Sequence, residues 1–258
     1  MKQLEGKVAV VTGGGRGLGL AMAQGLGQAG ARVVVAGRSQ ATLDAAVTTM
    51  SAEGVDVLAV QTDVAEPAAI AAMFDAAIDW AGGVDIAVNN AGIGHEAPLV
   101  DETVEAWEHD LRVMLTAPFL VIQQAARRMR SGGAVVNISS IDARAADGTF
   151  ASYNAAKAGL ISLTKSAAVE LAPLGLRVNS VSPGYASTDM VAEELGPDML
   201  ARMTHHFDRV PMKRMVTVEE VANAVVFLAG PLASGITGTD LVVDGGTLAN
   251  LYIQETLV

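Results

Sequence analysis

Seven short apolar, β-branched runs punctuate the chain: KVAVVT at 7–12, RVVVAG at 32–37, VDVLAVQ at 55–61, DIAVNN at 85–90, GAVVNIS at 133–139, RVNSVS at 177–182 and TDLVVDG at 239–245. Between the first six lie segments with helical periodicity, rich in Ala, Leu and Met, at 18–29, 40–53, 66–80, 101–130 and 151–172; another, 217–229, precedes the seventh. Strand and helix alternating this regularly require crossover connections, so the strands should run parallel with helices on both faces of the sheet. Gly30 and Gly82–Gly83 follow helical segments closely, as C-terminal stops do. No internal repeat, low-complexity tail or linker breaks the pattern. It predicts an α/β fold, one domain over 1–258 with a doubly wound parallel sheet.

Composition narrows the class. The chain has 258 residues, 51% hydrophobic and 17% charged, which suits one large α/β domain. Its longest apolar runs, such as VAVV at 8–11 and RVVVA at 32–36, are too short to cross a bilayer. The N-terminal MKQLEGK runs straight into the first apolar run, so no signal peptide is expected. With no Cys there is no disulfide framework, thiolate zinc site or cysteine nucleophile. A formal net charge of −11 argues against a nucleic-acid partner, because no basic surplus exists to neutralise phosphates. The expectation is a soluble, cytoplasmic protein with neither a membrane nor a nucleic-acid partner.

One region breaks the alternation. Residues 184–216 contain Met190, Met199, Met203, Met212 and Met215, five of the eleven methionines, with His205, His206 and Phe207. Such adaptable side chains suit a lid over a variable apolar ligand, or equally a helical pair filling a gap above the sheet. His205–His206 has no acidic or Cys partner at ligand spacing, so no metal is expected.

After the first strand comes TGGGRGLGLAMA at 12–23, a cluster with the spacing GxxxGxG at Gly13, Gly17 and Gly19 rather than GxGxxG. Backbone without Cβ atoms lets a pyrophosphate approach the N–H groups at a helix N-terminus, and a strand-to-helix junction in the first βα unit is where that is needed. An acidic residue at the end of the second strand would bind the ribose 2′-hydroxyl of NAD. Here Gly37 and Arg38 stand there, with no carboxylate until Asp44, and Arg16 adds a second guanidinium from the glycine loop. Two guanidiniums favour a 2′-phosphate, so NADP is expected over NAD. The competing reading makes both arginines ordinary solvated side chains.

Tyr153 and Lys157, in ASYNAAKAG at 151–159, share one helix face a turn apart. A half-buried Tyr beside a solvated Lys is the bland account. The chemical one is that an ammonium beside a phenol lowers the phenol's pKa and makes it a usable acid or base.

Taken in order, these residues resemble the short-chain dehydrogenase/reductase family over nearly the whole chain, which implies a Rossmann-type sheet of about seven strands. TGGGRGLG at 12–19 is similar to the family's cofactor loop, implicating Gly13, Gly15, Arg16, Gly17, Leu18 and Gly19. Asp63–Val64 resembles the pair that holds adenine, and NNAG at 89–92 the fourth-strand motif, with Asn90, Ala91 and Gly92 near the cofactor. NISS leads to Ser140, thirteen residues before Tyr153, the family's usual spacing for its catalytic Ser. Tyr153 and Lys157 form YxxxK and would also touch the cofactor. PGYAST at 183–188 resembles the nicotinamide segment, implicating Pro183, Gly184 and Thr188, and VDGG at 243–246 the final strand. The resemblance divides the chain into a cofactor part, about 1–140, and a catalytic and substrate part, about 140–258, with its lid at 184–216.

It implies that Ser140 hydrogen-bonds the substrate oxygen, that Tyr153 donates its proton to it, and that Lys157 binds the nicotinamide ribose and favours the tyrosinate. One position departs. Where the family usually has an Asn, seven residues after a Trp, Trp107 is followed by Met114 in RVMLTAP. In the family that Asn's carbonyl holds a water relaying protons to the Lys, and its side chain braces a helix distortion. Met114 keeps a carbonyl but no amide. The site is expected to work, with its relay weakened; the rival is an NADP-binding redox sensor with little or no catalysis.

The substrate pocket is expected to draw on His95, Glu96, Ser140, Ile141, Asp142, Arg144, Tyr185 and Met190. Asp142 and Arg144 either orient a polar group or pair with each other. The resemblance implies a small-molecule ketone or secondary alcohol, with a partly apolar 3-oxoacyl-type carbonyl as the first choice. It also implies a homotetramer through 101–130, 151–172 and 239–258, whose apolar tail LANLYIQETLV packs against a second subunit or its own domain.

Overall fold

A computed structural model describes residues 2–146, 148–187, 196, 198 and 200–250. Seven strands appear where apolar runs predicted them: β1 Val8–Thr12, β2 Arg32–Gly37, β3 Val57–Gln61, β4 Val84–Asn89, β5 Met129–Ile138, β6 Arg177–Pro183 and β7 Asp240–Val243. They form one parallel sheet in the order β3-β2-β1-β4-β5-β6-β7. The helices are α1 Gly17–Gln28, α2 Gln40–Ala52, α3 Pro67–Ala81, α4 Val104–Leu111, α5 Ala117–Arg128, α6 Ala151–Leu171 and α7 Val218–Ala229, with residues 200–205 also helical.

The strands are largely apolar because both faces are covered, yet the period of two survives in what each apolar residue meets. Ala9 and Val11 of β1, Val33 and Val35 of β2, and Ile86 and Val88 of β4 pack with Met22 and Leu26 of α1, Leu43 and Met50 of α2, and Val221 and Val225 of α7. Val10, Val34 and Ala87, one residue out of step, pack on the other face with Ile70, Met73 and Phe74 of α3, Val121 of α5 and Ala156 of α6. Two separate cores thus clamp one sheet. Their burial supplies the largest stabilising contribution, roughly 25 cal/mol per Å² of apolar surface removed from water.

The helices start where their sequences allow. Ser39 Oγ accepts from Thr42 N at 3.3 Å at the head of α2, and Thr103 Oγ1 from Ala106 N at 3.1 Å at the head of α4. Thr217 and Glu220 form a reciprocal capping box on α7, and Arg214 grips the same Glu220 carboxylate with both terminal nitrogens at 2.7 and 2.9 Å.

The segment expected as one helix over 101–130 is three pieces. Between α4 and α5 lies a π-helical turn, Arg112–Thr116, in which Ala117 N bonds to the Arg112 carbonyl, and the last residues of the segment belong to β5. The physical cause is Pro118. It has no N–H, so the carbonyl four residues earlier, on Met114, loses the donor an α-helix would give it. Among the described residues no helix is long and apolar enough to cross a membrane.

Candidate active site

Strand order reverses between β1 and β4, which are neighbours although β2 and β3 lie beyond β1 on one side. The carboxyl ends of such a pair open a crevice. Asn90, just past β4, ties its two walls together. Its Nδ2 donates to the carbonyls of Thr12 at 3.0 Å and Gly13 at 3.2 Å, and its N–H donates to Thr12 Oγ1 at 3.0 Å. That hydroxyl in turn donates to the Val88 carbonyl at 3.2 Å.

The glycines follow from this closeness. Gly13 has φ +65, and a Cβ on it would lie 2.8 Å from Asn90 Nδ2, while a Cβ on Gly19 would strike the Gly13 carbonyl oxygen. Arg16 stands extended at the head of α1 and its side chain makes no capping bond. The first N–H groups of α1 therefore face the crevice without a side-chain cap, which fits an anionic pyrophosphate.

The cleft has a volume of about 630 Å³. Of the residues expected to hold a cofactor, Gly13, Gly15, Arg16, Leu18, Gly19, Arg38, Asp63, Val64, Asn90, Ala91, Gly92, Tyr153, Lys157, Pro183 and Gly184 line it. Gly17 does not line it; it begins α1 behind the loop. Thr188 lies outside the described residues. Among the described residues, neither the Arg16 nor the Arg38 guanidinium has a carboxylate partner. Asp63 accepts a bond from Ala65 N at 2.9 Å, inside its own turn.

The same cleft brings in Ser140, after β5, and Tyr153 and Lys157, on the first turns of α6. A buried polar chain sets α6 against β5. Asn89 donates to Asn137 Oδ1, and Asn137 to Thr164 Oγ1, both at 2.8 Å, while Ser139 Oγ donates to the Lys157 carbonyl at 2.9 Å. Lys157 is only 5% exposed and donates to the Ile138 carbonyl at 2.8 Å. Burial lowers its pKa to about 8, against a raising influence from Asp142.

Tyr153 corrects an expectation. Burial pushes its pKa up to about 12; a hydrogen bond with Ser140 pulls down and the Asp142 charge adds to the rise. The ammonium was expected to lower it. Lys157 Nζ instead faces a carbonyl and stands 5.4 Å from the Tyr153 ring centroid, so its charge is not directed at the hydroxyl and desolvation wins.

The alternatives for Asp142 and Arg144 also resolve. Arg144 pairs with Asp240 at 2.7 Å, not with Asp142. Ser140 Oγ donates to Asp142 Oδ2 at 3.1 Å and accepts from the Asp142 N–H at 3.1 Å.

Met114 is buried at 1% exposure inside the π-helical turn. Gly92 lies between its sulphur and the Lys157 ammonium, which are 3.9 and 4.0 Å from where a Cβ would sit. The helix distortion is thus present without an Asn to brace it.

A family model described as Enoyl-(Acyl carrier protein) reductase matches residues 13–247. The chain is 42% identical to a cis-4-hydroxycyclohexanecarboxylate dehydrogenase of Sinomonas cyclohexanicum, over 94% of this chain and 97% of that one. It is 38% identical to a 3-oxoacyl-(acyl-carrier-protein) reductase of Aquifex aeolicus, covering 95% and 98%. A crystal structure of a dehydrogenase/reductase from Sinorhizobium meliloti superposes with a TM-score of 0.88 at 35% identity, covering 95% and 96%. The chain belongs to the short-chain dehydrogenase/reductase family. It is an oxidoreductase of the type that works on alcohols and ketones with a nicotinamide cofactor.

Other positions anticipated from the family sit at the cleft's margin. His95, next to the cleft-lining Gly94, pairs through Nε2 with Glu102 at 3.4 Å, and Glu96 accepts from Thr149 Oγ1 at 2.6 Å. Tyr185 stacks edge-on against Phe207, ring centroids 5.0 Å apart, with the Arg209 guanidinium 5.4 Å over its ring, so it anchors the base of the Met-rich segment. Met190 and Met199 lie outside the described residues, as do 251–258 of the apolar tail. Sequence reading missed Ser39 and Thr42 at the cleft, the Thr12 hydroxyl that holds Asn90, and the Asn89–Asn137–Thr164 chain. Ser39 carried a signal, an N-cap residue directly before a helix; Asn137 carried none, because an Asn inside a strand reads as a mispatterned core position.

Proposed function

We propose that this chain transfers hydride between NADP and a ketone or secondary alcohol, with Ser140, Tyr153 and Lys157 as its catalytic groups. The observation that carries the reading is that these three side chains line the same cleft as the glycine loop, Arg16 and Arg38. When bound, the nicotinamide supplies the hydride donor or acceptor. Arg16 and Arg38 would hold the 2′-phosphate, since two guanidiniums free of carboxylates match its charge and geometry. The N-terminus of α1 and Gly13–Gly19 would hold the pyrophosphate, Asp63 and Val64 the adenine, and Asn90 to Gly92, Pro183, Gly184 and Thr188 the remainder.

Tyr153 holds the proton that reaches the substrate oxygen. Its raised pKa keeps it protonated, as reduction requires. Ser140 would turn its one O–H from Asp142 Oδ2 to the same oxygen, so that two hydroxyls stabilise the charge that develops there. Lys157 would bind the nicotinamide ribose and help return a proton to Tyr153 after it has given its own to the substrate. A partly apolar 3-oxoacyl-type carbonyl is the first substrate choice, supported by the likeness to the Aquifex aeolicus reductase. His95, Asp142, Tyr185 and Met190 would shape its pocket.

This reading takes the chain as one working domain, a cofactor part at about 1–140 and a catalytic part at about 140–258 with its lid at 184–216. It also takes it as a cytoplasmic homotetramer, in which exposed Phe119 of α5 and Val169 of α6 become covered. A monomer by light scattering at micromolar concentration contradicts that assembly. Met114 favours one alternative, an NADP-binding redox sensor with weak catalysis. The deciding experiment follows NADPH consumption over ketones, aldehydes and 3-oxoacyl thioesters, with Tyr153→Phe alongside. Turnover abolished by Tyr153→Phe, with NADPH affinity kept, supports the enzyme. Equal turnover in the mutant removes Tyr153 from the reaction, and tight NADPH binding with no turnover in either favours the sensor.

A further inference from the structure

Asp110 lies in the last turn of α4, which packs against α6. It is 1% exposed, and the buried run it begins continues in Val113, Met114 and Ala117. An apolar side chain belongs in such a place, because a carboxylate taken out of water is costly unless it is well bonded. Asp110 Oδ2 accepts a short hydrogen bond, 2.5 Å, from the fully buried Ser152 hydroxyl of α6.

The partner explains the exception. Ser152 stands in the first turn of α6, immediately before Tyr153. That turn has no acidic residue of its own, and Phe150 ahead of it provides no side-chain cap. Asp110 thus brings from another helix the negative charge that a helix N-terminus favours. One turn further on, α6 is fixed to β5. There Lys157 donates to the Ile138 carbonyl at 2.8 Å, and its own carbonyl accepts from Ser139 Oγ at 2.9 Å.

Successive helix residues point about 100° apart, so a bond at Ser152 sets the rotation of the first turn and with it the direction of Tyr153. A rotation of about 10° moves a hydroxyl about 8 Å from the helix axis by roughly 1.4 Å, and a shift of that order costs up to about 100-fold in rate at a reacting centre. The charge that acts directly on Tyr153 is that of Asp142, so Asp110 works through the helix and not through its field.

We infer that Asp110 is a positioning residue of the active site: through Ser152 it locks the first turn of α6 and aims the Tyr153 hydroxyl, separately from the β5 anchor that holds Lys157. The inference rests on the proposed role of Tyr153 as proton donor.

The test measures single-turnover NADPH oxidation, its dependence on carbonyl concentration, and NADPH affinity. Cyclohexanone and ethyl acetoacetate are the probes, and the proteins are the wild type, Asp110→Ala, Ser152→Ala, their double variant and Asp110→Asn. Each alanine variant should lose about tenfold or more in rate, while carbonyl KM and NADPH Kd stay within about threefold. The double variant should lose no more than the worse single one, because both changes remove the same bond. Asp110→Asn keeps an acceptor for Ser152 Oγ and should recover most of the rate; with Ser152→Ala it carries the test if Asp110→Ala does not fold. Unchanged rates in the alanine variants, losses that multiply in the double variant, or a parallel loss of NADPH affinity overturn the inference and leave the oxidoreductase reading standing. No NADPH oxidation by the wild type with these probes or with any other ketone, aldehyde or 3-oxoacyl thioester removes that reading and the inference together.

Discussion

Lys157 and Tyr153 share one face of α6, yet the ammonium donates to the Ile138 carbonyl at 2.8 Å and lies 5.4 Å from the tyrosine ring centroid. The lysine is therefore a buried cation held by backbone, and its stability signature can be worked out. Its pKa is lowered from 10.5 to about 8. Below the folded value both states are protonated and the folded state bears the full desolvation cost. Between about 8 and 10.5 the folded state has released a proton that the unfolded state keeps, so stability rises with pH across that window. Lys157→Met should abolish this rise and should stabilise the protein at pH 7, at most by on the order of 3 kcal/mol. Denaturant unfolding from pH 7 to 10 checks both; a wild-type curve flat over that range rejects the assignment.

Cofactor choice depends on the two arginines at the cleft. Arg38→Asp should weaken NADPH binding by roughly 10- to 100-fold and strengthen NADH binding, since a guanidinium–phosphate contact is replaced by an acceptor for the 2′-hydroxyl. Fluorescence titration of the variant with both cofactors is the measurement. Wild-type protein binding NADH as tightly as NADPH would count against the role given to both arginines.

Pro118 bears on the missing Asn. The helix distortion arises because Pro118 offers no N–H to the Met114 carbonyl, so an amide at 114 is not needed to create it. Met114→Asn should then change kcat by no more than about threefold, whereas Pro118→Ala, by letting the carbonyl find an α-helical donor, should lower it by about tenfold or more. Steady-state kinetics with the preferred substrate decides between them. A large gain from Met114→Asn would show the relay to be impaired in the natural chain.

Gly19 tests the cradle. An added methyl would strike the Gly13 carbonyl oxygen, which the loop cannot move without releasing Asn90. Gly19→Ala should cost about tenfold or more in NADPH affinity and lower the melting temperature, because it forces backbone rather than a flexible side chain to shift. Calorimetry with and without NADPH reads both effects, and unchanged affinity would show that the loop is not the pyrophosphate site.

Much of this protein was determined locally. The seven apolar runs, the helical segments between them and the glycines at the first turn are each properties of about ten consecutive residues. Parallel order follows from their alternation alone. The candidate cluster was legible for the same reason: Tyr153 and Lys157 are one helical turn apart, and Ser140 follows the strand that precedes that helix. What only the tertiary structure decided are relations between residues far apart in the chain. Arg144 had two possible partners by sequence, and it took Asp240, 96 residues on, because β7 lies beside β6. Asp142 hydrogen-bonds Ser140. The π-helical turn inside the helical segment 101–130 went unseen because periodicity sees side chains and not the missing N–H of Pro118. The pKa of Tyr153 was misjudged in direction because charge proximity can be read from spacing, whereas desolvation depends on how much protein closes over the group.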